Sequence, residues 1–83
     1  MPSAEAQAVF DEAQRIEPGN PAHAVALYKK SVKMNNGFAA KRLGDIFGKG
    51  LPGIPRDYAE SLHWWRVANQ LGANAPQGCE GTR

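Results

Sequence analysis

AAKRLGDIFGKGLPGIPRDYAESLHWWRVANQLGA, residues 39–73, reads as two helices separated by a turn. In the first part Ala40, Leu43, Gly44, Ile46 and Phe47 gather on one side of a helix predicted over about 38–48. Gly44 costs roughly 1 kcal/mol against Ala in a helix interior, which calls for close approach of a neighbouring helix. The segment 48–56 cannot be helical, with Gly48, Gly50, Gly53, Pro52 and Pro55 among its residues. Asp57 then reads as an N-cap, and Glu60 three positions on completes an acidic capping box. Tyr58, Leu62, Trp64, Trp65, Ala68 and Leu71 are expected on the buried side of this last helix, and Gly72 ends it.

The chain nearly repeats itself at an offset of 37: Phe10 answers to Phe47, Asn20 to Asp57, Ala24 to Ser61, Tyr28 to Trp65 and Ser31 to Ala68. Read this way the two copies align without a gap, and such a period marks stacked supersecondary units. Ser3 caps a first helix whose apolar stripe is Ala6, Val9, Phe10, Ala13 and Ile16, and Glu17-Pro18-Gly19 stops it. Asn20-Pro21 is a cap followed by a first-turn proline. It opens a second helix with Ala24, Leu27, Tyr28, Ser31 and Val32 inside, ending near 34–36 with Gly37 in the left-handed position. The expected fold is all-α, a fragment of an α-α superhelix made of two stacked antiparallel helix hairpins, four helices in all. One domain, residues 1–73, holds repeat 1 (about 4–38) and repeat 2 (about 39–73). Residues 74–83 read as a loose tail with no apolar anchor larger than Ala.

Eighty-three residues leave room for a single small core. A net charge of +2 is too small for a nucleic-acid footprint, and Lys29, Lys30 and Lys33 read as a solvated face that suits a helix C-terminus. The lone Cys79 forms no internal disulfide and lies beside an acid in a Gly-rich stretch, a setting that does not activate a thiol. Nothing reads as a membrane span or a signal peptide, so the expectation is a soluble chain, cytoplasmic or exported with its signal peptide already removed. No Cys/His ligand pattern, H-E-x-x-H, G-x-S-x-G or P-loop occurs. His23 and His63 read as ordinary, partly exposed residues. The Trp64-Trp65 pair reads as core packing in preference to a base-stacking platform.

Residues 39–73 resemble a Sel1-like repeat, a relative of the tetratricopeptide repeat. Ala39-Ala40, Leu43-Gly44, Phe47, the Gly48-Lys49-Gly50 turn, Ile54-Pro55-Arg56-Asp57-Tyr58, Ser61, Trp64-Trp65, Ala68 and Gly72-Ala73 carry the likeness. Leu51-Pro52-Gly53 lengthens the turn beyond the commonest family form, and Ser61 stands where Ala is usual. Residues 4–38 resemble a divergent tetratricopeptide-like unit.

The resemblance implies a non-enzymatic scaffold or adaptor that binds a protein or peptide, with no catalytic residue, cofactor or metal, no nucleic acid and no membrane insertion. In such folds the first helix of each hairpin lines the concave side. That nominates Gln7, Asp11 and Gln14 in the first helix and Lys41, Arg42 and Asp45 in the third. With only two repeats, the outer face of the last helix is expected to stay open at Trp64, Val67 and Leu71. The alternative reading is a structural unit that oligomerises through that open end, as a weak homodimer.

Overall fold

The computed structural model describes residues 3–72. It consists of four 13-residue helices, α1 (Ala4–Ile16), α2 (Pro21–Lys33), α3 (Gly37–Lys49) and α4 (Tyr58–Gln70). Each opens on a side-chain cap that satisfies an otherwise orphaned backbone N–H. Ser3 accepts from Ala6 at 3.1 Å, Asn20 from His23 at 3.2 Å, Asn36 from Phe38 at 3.0 Å and Asp57 from Glu60 at 3.1 Å. α1 packs on α2 and α3 on α4 as two hairpins, and α2 packs on α3 to join them.

The repeat is not gapless. The second helices are related by the expected 37 residues, Pro21 to Tyr58, but the first helices by 33, Ala4 to Gly37. The 33-residue register also carries burial, since Ala6 and Ala13 map to Ala39 and Ile46, all closed to solvent. The pairing of Phe10 with Phe47 is therefore a coincidence of type, and the structural equivalent of Phe10 is Leu43. The four extra residues lie in the turn between α3 and α4. At the other junction Asn35, not Gly37, takes the left-handed conformation (φ 69°), Asn36 caps, and Gly37 is the buried first residue of α3. Asn is the side-chain-bearing residue best suited to that region, so the helix break needs no glycine there.

Tyr28, Leu43 and Ile46 are the large apolar side chains at the centre, ringed by alanines 13, 24 and 39 and flanked by half-buried Phe10, Phe47 and Trp64. Phe10 meets the Tyr28 ring edge-on at 5.6 Å. Three buried polar side chains tie the helices together. Ser31 donates to the Ala6 carbonyl at 2.7 Å, and Asn36 donates to the Ser31 hydroxyl at 3.0 Å while its own oxygen caps α3. In the second hairpin Ser61 donates to the Gly44 carbonyl at 2.7 Å. These bonds satisfy groups whose burial would otherwise cost free energy.

The long turn is structured. Leu51 and Ile54 exchange backbone hydrogen bonds at 2.9 and 2.8 Å across Pro52-Gly53, with Gly53 at φ 80°, the proline-then-glycine pattern of a type II turn. Ile54 joins the core and Leu51 packs against it. Asp57 N–H donates to the Phe47 carbonyl at 2.9 Å and closes the loop on α3. A turn of this Gly/Pro-rich composition thus still sends two of its apolar residues inward.

Candidate functional site

Three adjoining clefts follow one side of α3. The largest, about 460 Å³, is lined by Arg42, Asp45, Gly48, Lys49, Tyr58 and Trp65. A second, of about 310 Å³, lies between Lys41, Asp45, Trp65 and Ala68. The third, about 180 Å³, reaches back to α1 through Phe10 and Phe38 and again touches Lys41, Arg42 and Asp45. Asp45 lines all three. The result is a groove floored by the polar stripe of α3, with aromatic walls from α1, α3 and α4.

The sequence places Lys41 and Asp45 one turn apart and Arg42 beside them, so all three share this side of α3. Trp65 reaches the groove because α3 has no side chain beneath it. A Cβ built on Gly44 would lie 2.2 Å from Trp65 Cδ1, and one on Gly48 would lie 3.7 Å from the indole. The expected close approach at Gly44 is thus made by an indole from α4. Trp65 is half-buried, unlike its equivalent Tyr28, and spreads over the glycines. Tyr58, expected on the buried side of α4, is 68% exposed: it is the first residue of the helix and projects beyond the core at the rim of the groove. Phe38, 50% exposed, forms the opposite rim for the same reason at the start of α3.

Arg42 is held from the other hairpin. Its guanidinium donates two hydrogen bonds to the Glu17 carboxylate, through Nε at 3.0 Å and through Nη2, and the Tyr28 hydroxyl donates to the same carboxylate at 2.7 Å. Burial alone would raise the Glu17 carboxyl, but the bonds from Arg42 and Tyr28, with the Arg42 charge, outweigh it and hold it below its ordinary range. The Tyr28 hydroxyl is pushed well above the normal phenol value by burial and by the adjacent Glu17. Arg42 is raised chiefly by its bond to Glu17. The guanidinium is thereby fixed in place and largely neutralised. Among the described residues Asp45 has no ion pair, and Lys41 and Lys49 are exposed one turn to either side of it.

The other nominated residues lie elsewhere. Gln7 donates to Asp11 at 3.0 Å along α1, and Gln14 is exposed. Trp64 packs against the core, and its indole donates to Glu60 at 2.9 Å. Val67 and Leu71 are half-buried near the end of α4. Phe10, Glu17, Phe38, Lys49, Tyr58 and Trp65 are not nominated from sequence, Trp65 being read there as core packing. Phe38 and Tyr58 carry a signal in hindsight, as large aromatics in a helical first turn just after a cap. Cys79 and the expected loose tail, residues 74–83, fall outside the described residues.

Among the described residues no group of three His, Cys, Asp or Glu is placed to hold a metal, and no helix is long and apolar enough to cross a membrane. Two antiparallel helix hairpins stacked in sequence define an α-helical repeat module. The Sel1 repeat matches residues 12–36 and 37–72, and the chain belongs to that family. Sel1 repeats generally mediate protein–protein interaction and are typically non-enzymatic. No curated protein matches the chain, and no solved structure does.

Proposed function

We propose that this chain is a scaffold or adaptor whose two repeats, residues 1–73, form one domain that seats a segment of a protein partner in the α3 groove. The observation that carries this reading is the convergence of the three clefts on Asp45 between the aromatic walls of Phe38, Tyr58 and Trp65. Aromatic side chains around a polar floor supply the anchors from which interfaces draw most of their binding energy. Lys41, Asp45 and Lys49 alternate in sign along the floor and so set register and partner choice.

Affinity capture from the source proteome tests the reading, comparing the parent chain with Lys41→Glu/Lys49→Glu. Both lysines are exposed, so the variant keeps its fold, verified by circular dichroism. The expected result is a partner retained by the parent and lost from the variant. Equal retention by both would place binding outside the groove.

A further inference from the structure

The two hairpins show what covers the face that bears Trp65. In the first hairpin the equivalent residue, Tyr28, is completely closed to solvent because α3 packs on α2 and Arg42 reaches over to Glu17 beside it. In the second hairpin no described helix takes that place, and Trp65 is left half-buried beside clefts of about 460 and 310 Å³. The element that would fill this space is a helix equivalent to α3. Among the described residues that helix is α1, which matches α3 at 33 residues from Ala4 to Gly37.

The surface of α1 suits the position. In the 33-residue register the equivalent of Arg42 is Val9, a half-buried aliphatic residue with exposed Ala8 beside it. Exposed Glu5 and Glu12 lie about one turn to either side of Val9, Glu12 also pairing with exposed Arg15 at 2.6 Å, a surface bond that a partner lysine can share. Where α3 brings a cation to the face it covers, α1 brings a small apolar centre with an acidic rim. The receiving groove carries the opposite sign at exposed Lys41 and Lys49 of its floor, one turn to either side of half-buried Asp45 and beside the indole.

We propose that a second copy of this chain docks head to tail, laying its α1 on the Trp65 face of the first, with Glu5 and Glu12 against Lys41 and Lys49. This deepens the groove reading by naming an occupant and rests on it. The contact joins two different surfaces, so each bound copy presents a fresh groove and the assembly grows without closing. Its charged rims make it sensitive to salt.

Sedimentation of the full 83-residue chain over a concentration series up to about 1 mM is the test, since weak contacts of this kind have Kd values in the micromolar to millimolar range. The expected result is a mean mass that keeps rising past the dimer at low salt and falls at about 0.5 M salt. Glu5→Lys/Glu12→Lys and Lys41→Glu/Lys49→Glu should each weaken association by roughly tenfold or more, the effect of losing two rim pairs. A chain carrying all four reversals should recover it. A monomer throughout the series overturns the proposal, as does a mass that stops at the dimer, or association indifferent to salt and to Glu5 and Glu12. The groove reading stands apart from these outcomes. A monomeric chain that still captures a protein partner through Lys41 and Lys49 leaves it intact, whereas a chain that neither stacks nor captures a partner removes both.

Discussion

Replacing Gly44 with Ala sets helix propensity against packing. On propensity alone the change stabilises α3 by about 1 kcal/mol. The new methyl, however, would lie 2.2 Å from Trp65 Cδ1, 2.3 Å from Nε1 and 2.9 Å from Cγ. Because Cγ sits at the root of the side chain, the indole cannot escape by swinging its far end, and either Trp65 changes rotamer or α3 and α4 move apart. Overpacking of this kind costs about 1–3 kcal/mol. Separation of the helices would also stretch the 2.7 Å bond from Ser61 to the Gly44 carbonyl, worth about 1 kcal/mol. The net expectation is destabilisation by about 1–3 kcal/mol, a fall in Tm of roughly 5–20 °C for a domain of this size. Thermal unfolding followed by circular dichroism reads it. Gly48→Ala is the milder comparison: its methyl would meet buried Ser61 Oγ at 3.1 Å, a tight contact that offsets the propensity gain, and the indole only at 3.7 Å, so its cost should be smaller than that of Gly44→Ala. A Gly44→Ala protein that melts at or above the parent temperature would show that the indole does not rest on Gly44.

Ile54→Ala should cost about 2–4 kcal/mol in chemical denaturation, because Ile54 is a core residue despite its place in a Gly/Pro-rich turn. Deleting Leu51-Pro52-Gly53 should be similarly damaging, since it removes one side of the Leu51–Ile54 backbone bridge and one of the turn's inward residues. Tyr28→Phe should lower stability by about 1–2 kcal/mol through loss of the hydroxyl bond to a charged, mostly buried carboxylate. Glu17 titrates lower in the fold than its ordinary 4.5, so its stabilising effect is complete above that value and drains away as pH falls through the folded value. Tyr28 titrates higher in the fold than its ordinary 10, so its effect is complete below pH 10 and is lost as pH rises further. Denaturant midpoints across pH should therefore fall at both ends, with Glu17→Gln removing the Glu17 share of the acid limb.

The helix count and three of the four caps were legible because capping residues are local signals. Asn20-Pro21 and Asp57 announce α2 and α4 with no tertiary information. The start of α3 was not legible, since Asn35, Asn36 and Gly37 all suit a helix break and only packing decides which turns left-handed. The register of the first helices misled because Phe10 and Phe47 match in type while the added turn residues shift the true equivalence to Leu43. Ile54 was hidden by its neighbours: turn composition fixes the backbone but says nothing about which way one aliphatic side chain points. At the candidate site, Lys41, Arg42 and Asp45 could be read as the polar side of α3. The clamp of Glu17 on Arg42 spans 25 residues between different hairpins, and no periodicity records a contact of that range.

Asn36 serves two masters, and that has a bearing on how the molecule comes apart. Its oxygen starts α3 while its amide donates to Ser31 of α2, whose hydroxyl in turn closes on Ala6 of α1. Fraying the start of α1 exposes the last link, and unwinding α3 removes the first. Arrays of this kind can lose stability one unit at a time, but a relay through three helices couples the melting of both units. Amide hydrogens in α1, α2 and α3 should therefore exchange through one common opening event instead of a graded series from the termini inward.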